Sequence, residues 1–194
     1  MTAPAAIDIR PLLPGADLDA AGFAFTGYES EEVYAAAKDE TDAAVAITLR
    51  LAPRPGFVKR WADGPADRER RRAVIAAGLS YGAYCDGKLV GVALMEQRRW
   101  NNTLHVEDIE VLPTHRGRGI GRMLLEKAVE TGRELGARLV SLETQNTNVP
   151  AIRFYRASGF EIESVDLSLY TNDDAAHGEV AVIMKRKLPG RAGK

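Results

Sequence analysis

The stretch VEDIEVLPTHRGRGIGRMLL, residues 106–125, contains three consecutive patterns that decide the fold. A strand-like alternation runs up to Pro113, a glycine-rich turn follows at residues 116–121, and an amphipathic helix begins at Ile120. The three glycines let backbone N–H groups turn inward, and the helix N-terminus adds about half a positive charge. The stretch therefore predicts a pyrophosphate site between a strand and a helix.

The glycine turn also allows other interpretations. A tight strand-to-helix turn without a ligand would show the same short pattern. A Rossmann dinucleotide site requires G-x-G-x-x-G, but Arg122 stands where the third glycine belongs, although Glu143 has the spacing of a ribose contact. A nucleoside triphosphate loop is excluded because no G-x-x-x-x-G-K is followed by Ser or Thr.

The strand before the turn changes the face that it buries. Leu104 and Val106 have even numbers, whereas Ile109 and Val111 have odd ones. Because side chains alternate along a strand, a regular strand would bury only one of these pairs. One extra residue near Glu107, a β-bulge, returns both pairs to the core and leaves a backbone amide unpaired. That amide could bind a ligand carbonyl; a bulge that only bends the sheet is the alternative.

The rest of the chain predicts further strands and helices around this motif. Strands are expected at residues 7–13, 44–51, 79–85, 88–97, 103–113, 138–144, 160–170 and 180–188, and helices at 65–77, from 120 onward and at 150–158. Asp86 and Gly87 favour a type I′ turn between two of the strands. A single mixed α/β domain covering residues 1–194, with its core motifs at 104–160, is the simplest organisation.

Two segments before this core have their own predictions. Residues 31–38 are the expected hairpin partner of the strand at 44–51, which Pro53 and Pro55 are expected to end. Residues Arg68–Arg72 predict a solvated basic face on the helix at 65–77, with ligand binding as the alternative.

Composition and charge exclude several classes of protein. Apolar residues make up 45% and charged residues 27%, which is typical of a soluble globular domain. A net charge of −1 gives no general attraction to nucleic acid or to a membrane surface. The amino terminus lacks a signal-peptide pattern, and no apolar run approaches the roughly 20 residues of a membrane helix. The expected location is the cytoplasm.

Cysteine and histidine usage predicts no metal site. Cys85 is the only cysteine, so an internal disulfide is excluded, and its strand-like neighbours predict a buried structural thiol. His105, His115 and His177 show no metal-ligand spacing.

These motifs together carry a family resemblance. VEDIEVLPTHRGRGIGRMLL resembles the central strand, pyrophosphate loop and helix of the GNAT superfamily of acyl-CoA-dependent N-acyltransferases, and NVPAIRFYRASGF, residues 148–160, resembles its second signature. WNN at 100–102, the segment 142–160 and VDLSLY at 165–170 are similar to streptothricin acetyltransferases. The resemblance implies a mixed α/β fold with a mostly antiparallel central sheet, helices on both faces and a splayed, bulged central strand.

The resemblance also implies acetyl-CoA as the co-substrate. It assigns the pyrophosphate to the backbone of Arg116, Gly117, Arg118, Gly119, Ile120, Gly121 and Arg122. Ile109, Glu110 and Val111 would pair with the pantetheine arm like an added strand. Asn148 would bond to the same arm. Tyr155 matches the general acid that protonates the departing thiolate.

A small cationic amine is the expected acceptor. Such an amine is protonated at neutral pH, with a pKa near 10.4 for an alkylamine, and must lose a proton before it can attack. Glu107 matches the family's base, and Asp108 would attract the cation, unless both are ordinary exposed carboxylates. Glu143, Trp100 and Tyr170 are expected to line the acceptor groove, although the two aromatic residues could serve packing alone.

Several functional alternatives stay open. The acceptor could be a streptothricin-like antibiotic, or instead a lysine side chain or N-terminal amine of a protein. A non-catalytic acyl-CoA-binding module is the third interpretation, but the joint presence of Glu107, Asn148 and Tyr155 counts against it. A monomer and a homodimer are both compatible with the sequence.

Overall fold

A computed structural model of the chain describes residues 6–25 and 27–189. Its strands and helices, in chain order, are β1 Ile7–Pro11, β2 Gly27–Glu40, β3 Val45–Arg60, α1 Pro65–Ala76, β4 Tyr81–Cys85, β5 Lys88–Arg98, β6 Thr103–Val111, α2 Ile120–Glu134, β7 Leu139–Gln145, α3 Val149–Ala157, β8 Glu161–Asp166, α4 Asp174–His177 and β9 Ala181–Lys187. They form two compact units, the first from residues 6–25, 62–141 and 186–189, the second from 27–61 and 142–185. Residues 1–5, which belong to the amino-terminal stretch inspected above for a signal-peptide pattern, lie outside the described part.

The first unit is a mostly antiparallel sheet in the order β1-β4-β5-β6, with a helix against each face. Helix α2 covers one face, where Ile120 and Leu124 pack with residues of β4 and β5. Helix α1 covers the other face, where Ile75 packs with Val92 and Leu94 of β5. The expected mixed α/β architecture with helices on both faces is confirmed.

The turn between β4 and β5 has the conformation that its two residues predict. Cys85 pairs with Lys88, and the two intervening residues, Asp86 and Gly87, have φ values of 49° and 76°. Both values lie in the left-handed region, which is the requirement of a type I′ turn. Cys85 is buried, as predicted for a structural thiol.

The predicted solvated face of α1 is wrong for one of its arginines. Arg71 is only 4% exposed. Its guanidinium forms an ion pair with Asp63 and lies 4.4 Å from the centre of the Phe25 ring. The ion pair and the aromatic face compensate the burial of the charge, which helical periodicity alone could not reveal.

The second unit contains the long hairpin β2–β3, helices α3 and α4, and the antiparallel pair β8–β9. The hairpin predicted from residues 31–38 and 44–51 is confirmed, but the expected stop at Pro53 and Pro55 is wrong, because β3 continues to Arg60. A two-stranded ribbon leaves one side of each strand unpaired, where proline is tolerated. The register is also irregular opposite Glu31, whose carboxylate accepts the N–H of Gly56 at 3.1 Å.

The strand predicted at 160–170 is shorter than expected. It ends at Asp166, and the following residues form a turn before α4. The carboxylate of Asp174 accepts the backbone N–H groups of Tyr170 and Thr171, at 2.7 and 2.8 Å. These hydrogen bonds hold the turn that replaces further strand pairing.

Candidate functional site

The glycine turn has the backbone that the sequence predicts for an anion site. Gly117 and Gly119 have φ values of 76° and 78°, and Gly119 is the N-cap of α2. A Cβ built on either glycine would meet no atom within 4 Å, so the backbone there borders open space. The first-turn N–H groups of a helix have no intrahelical acceptor. The segment therefore fits a pyrophosphate that approaches along the helix axis.

The arginines of this turn point their side chains in specific directions. Arg116 donates from Nε to the carbonyl of Val111 at 3.0 Å, which ties the turn to the end of β6. Arg118 lies with Nη1 3.7 Å from the sulfur of Cys85. The Arg116 side chain is therefore engaged with the strand, whereas the first N–H groups of α2 have no intrahelical acceptor.

The predicted β-bulge in the strand before the turn is confirmed. Leu94 of β5 pairs with Asp108, whereas the next residue, Met95, pairs with Val106, so Glu107 is the extra residue of β6. Leu104 and Val106 are buried, and Ile109 and Val111 pack against the core beneath α2. The change from even to odd numbering therefore reports the bulge, as inferred.

The bulge brings two carboxylates together on the α1 side of the sheet. Arg70 of α1 lies with Nη1 3.3 Å from Oε2 of Glu107 and with Nη2 3.5 Å from Oδ2 of Asp108. Arg98 approaches the other oxygen of Glu107 at 3.2 Å. Adjacent strand residues normally point to opposite faces, so a shared guanidinium is a consequence of the extra residue.

Burial raises the proton affinity of two acids of β6. It raises the pKa of Asp108 to about 6, although the nearby positive charges of Arg70 and Arg71 act in the opposite direction. Burial also raises the pKa of Glu110, whose carboxylate accepts the N–H of Phe25 at 3.1 Å. Glu110 is therefore engaged by the first unit's own backbone, and its assigned contact with the pantetheine arm concerns its main chain.

His105 is a neighbour of Glu107 that the sequence did not single out as a site residue. Its Nδ1 lies 2.9 Å from the hydroxyl of Ser141, and its Nε2 lies 3.7 Å from Glu107. Burial, together with the charge of Arg98, lowers the pKa of His105 to about 3, so the ring is neutral. Alternation in β6 could have revealed it, because His105 precedes the bulge on the same side as Glu107.

Asn148 and Tyr155 both belong to α3 in the second unit. Asn148 is the N-cap of the helix, and its Oδ1 accepts the N–H of Ala151 at 3.3 Å. Its amide nitrogen is the part of the side chain that could donate to a ligand. Tyr155 is 8% exposed, and its ring packs against Phe154 and Phe160 with centroids 5.3 and 6.3 Å away.

Glu143 and Tyr170, which the sequence assigned to the acceptor groove, contact each other in the second unit. The hydroxyl of Tyr170 donates to the carboxylate of Glu143. Burial and the negative charge of Glu143 raise the pKa of Tyr170 above its ordinary value. Trp100 belongs to the first unit and is 86% exposed, so its ring is not packed among the residues that the structure describes.

Tyr28, which the sequence left unassigned, lies in the same unit as Glu143. Its hydroxyl hydrogen-bonds to that of Thr147, and its ring lies 6.0 Å from the ring of Trp61. Burial, with a contribution from the charge of Glu179, raises the pKa of Tyr28. Aromatic residues near carboxylates are typical of cation sites, but residue 28 is too far from residue 143 in the chain for a local pattern to link them.

Metal-ligand clusters and membrane-spanning helices are both absent from the described residues. They contain no cluster of three or more His, Cys, Asp or Glu side chains with the geometry to hold a metal ion. Within the same residues, no helix combines the length and the apolar character needed to cross a membrane.

Known proteins place these features in a family context. The Acetyltransferase (GNAT) family matches residues 22–160, which include the bulged strand, the glycine turn and α3. Streptothricin acetyltransferase from Streptomyces lavendulae is 42% identical over 127 residues, which cover 66% of this chain and 66% of that enzyme. The aligned part thus spans slightly under two thirds of that curated relative.

Solved structures share the whole fold. The crystal structure of nourseothricin acetyltransferase matches with a TM-score of 0.72 and 35% identity, covering 95% of this chain and 99% of that one. A proposed streptothricin acetyltransferase from Bacillus anthracis, solved in complex with acetyl coenzyme A, matches with a TM-score of 0.73 over 96% of this chain and 100% of that one. At 23% identity, the second likeness shows the fold alone. With its bulged strand feeding a glycine turn and with most of its length matched, the chain belongs to the acetyltransferase (GNAT) family.

Proposed function

We propose that this protein is an acetyl-CoA-dependent N-acetyltransferase whose acceptor is the primary amine of a small cationic molecule of the streptothricin class. The observation that carries the proposal is the arrangement of β6, in which the bulge at Glu107 is followed directly by the glycine turn at the N-terminus of α2. This arrangement supplies an acid-base group and an anion site on one short segment. The similarity to a streptothricin acetyltransferase and to nourseothricin acetyltransferase supports this class of acceptor.

The donor is held by backbone groups in this proposal. The amides of residues 116–122 bind the pyrophosphate, and open space beside Gly117 and Gly119 lets it approach closely. Residues 109–111 pair with the pantetheine arm as an added strand. The amide nitrogen of Asn148 donates to the same arm, since its oxygen already caps α3.

The chemistry requires a neutral amine and a protonated leaving group. When bound, acetyl-CoA supplies the thioester carbonyl that the amine attacks. Glu107 takes the proton from the acceptor, directly or through a water, and Asp108 holds its positive charge beforehand. The backbone amide freed by the bulge donates a hydrogen bond to the carbonyl oxygen as negative charge develops there. Tyr155 donates the proton that neutralises the departing thiolate.

The acceptor side of the proposal draws on acidic and aromatic groups. Glu143 and Tyr170 are already hydrogen-bonded to each other, and Trp100 offers an exposed aromatic face. Carboxylates and aromatic faces both attract organic cations. The half-buried Asp108, with its raised pKa, gains most from a bound cation because burial otherwise disfavours its charged form.

A steady-state assay of thiol release tests the proposal. The purified chain is given acetyl-CoA with streptothricin, aminoglycosides, polyamines or basic peptides, and the acetylated product is identified by mass. We expect streptothricin to be the preferred acceptor. Preference for peptides would redirect the assignment to protein acetylation. Tight binding of acetyl-CoA without thiol release for any acceptor would make the protein a binding module.

A further inference from the structure

Arg70 holds a position that a cationic acceptor would need. Its guanidinium spans the two carboxylates of the bulge, with Nη1 3.3 Å from Glu107 and Nη2 3.5 Å from Asp108. Arg98 contacts only Glu107 of this pair, on the opposite oxygen. Among the ion pairs of the described residues, Arg70 is therefore the cation that bridges both acids.

The contacts of Arg70 with the two carboxylates are weak enough for another cation to replace its guanidinium. Both N···O distances exceed the 2.7–2.9 Å that is usual for strong charge-assisted hydrogen bonds. The Arg70 side chain is 47% exposed, so it can turn into solvent at little cost. Its neighbour Arg71 differs, since its side chain is 5% exposed and fixed by Asp63 and the Phe25 ring.

The two carboxylates are less exposed than the arginine that covers them. The side chains of Glu107 and Asp108 are 17% and 21% exposed. A partly buried acid pair that loses its cation is costly unless another cation takes its place. The pair therefore favours exchange of one cation for another over an empty state.

We infer that Arg70 is an internal competitor of the acceptor: its guanidinium occupies the position at Glu107 and Asp108 that the cationic group of the acceptor takes, and it moves aside when the acceptor binds. This inference rests on the proposed function, because it requires that the acceptor meets these two carboxylates. Arg70 thereby becomes a residue that sets the affinity for the acceptor and the minimum charge that an acceptor must carry.

Calorimetric binding of streptothricin to the protein saturated with CoA tests the inference without any acetyl transfer. Replacement of Arg70 by Gln should tighten binding by about two- to fivefold, the range that loss of an exposed ion pair allows. Arg72→Gln is the matched control, because Arg72 is exposed on the same helix. It should bind as the unmodified protein does. Adding Asp108→Asn to Arg70→Gln should abolish the gain.

The outcomes separate the inference from the proposed function. Unchanged or weaker binding in Arg70→Gln, with native-like thermal unfolding, would overturn the inference, since Arg70 would then be structural or would itself contact the acceptor. No binding to either protein would overturn it as well. Thiol release with acetyl-CoA is measured in parallel: tightened binding with no transfer in any variant would keep the competitor role and remove the transferase assignment.

Discussion

Glu107 and Asp108 are consecutive residues of β6, and yet both carboxylates lie against one guanidinium, at 3.3 and 3.5 Å. In an unbroken strand their side chains would point to opposite faces of the sheet. The extra residue at Glu107 removes this alternation and places the proposed base beside Asp108, the acid proposed to attract the acceptor. Because of the same bulge, the side chains of Ile109 and Val111 face the core beneath α2.

The proposed role of Glu107 as the base predicts a pH-dependent defect in Glu107→Gln. At neutral pH the acceptor amine is almost fully protonated, so loss of the base should lower kcat by about a hundredfold. The defect should shrink toward pH 9 to 10, because more of the amine is then neutral in solution. Glu96→Gln, an exposed position on the adjoining strand β5, serves as the control in the same pH–rate profile. A defect that stayed constant with pH would assign Glu107 to binding alone.

The raised pKa of Asp108 predicts a pH-dependent effect on stability. In the folded protein the pKa is about 6, against an ordinary value of 3.8, so the folded state binds the proton more tightly than the unfolded chain. The stabilisation from this proton is complete below pH 3.8 and is lost as pH rises through about 6.

As pH rises from 4 to 7, the free energy of unfolding of Asp108→Asn should therefore increase relative to that of the unmodified protein, by on the order of 1–3 kcal/mol. Urea unfolding at several pH values measures this difference. Asp39→Asn, at the exposed end of the β2–β3 hairpin, is the control. Parallel stability curves for Asp108→Asn and the unmodified protein would contradict the burial argument.

The glycine turn predicts a specific loss of donor affinity in Gly119→Ala. Gly119 and Gly136 flank the two ends of α2, with φ values of 78° and 68°, and neither has an atom within 4 Å of a built Cβ. Alanine should cost each position about 1–2 kcal/mol of stability through its strained backbone. Only Gly119→Ala should raise the KM for acetyl-CoA, about tenfold or more, because it places a methyl group beside the backbone amides that are proposed to bind the pyrophosphate. Equal KM values in the two variants would remove the anion site from this turn.

The proposed role of Tyr155 as a general acid predicts a slower enzyme with an intact fold in Tyr155→Phe. The ring contacts with Phe154 and Phe160 are kept, so thermal unfolding should change little. Turnover should fall by roughly ten- to a hundredfold or more, as general acid catalysis contributes on that scale. Tyr84→Phe, whose ring lies under Arg10, is the control. Turnover that matched the unmodified protein would leave Tyr155 with a packing role only.

Much of the fold could be predicted because its signals are local. The bulge follows from four apolar residues whose parity changes within one strand, and the β4–β5 hairpin follows from Asp86 and Gly87, which tolerate positive φ. The predicted stop at Pro53 and Pro55 failed because these residues end strands by local rules, whereas in β3 they lie in a two-stranded ribbon with an unpaired side. The assignment of a single domain, and the individual roles of the site residues, stay predictions.

By itself the sequence determined where the glycine turn lies, that the preceding strand is bulged and which family the chain resembles. These features depend on side-chain alternation and on φ values within a few consecutive residues. Only the tertiary structure decided that Arg70 bridges Glu107 and Asp108, that His105 meets Ser141 and that Tyr170 bonds to Glu143. Each of these pairs is separated by tens of residues, so its formation depends on how helices and strands pack rather than on any short pattern.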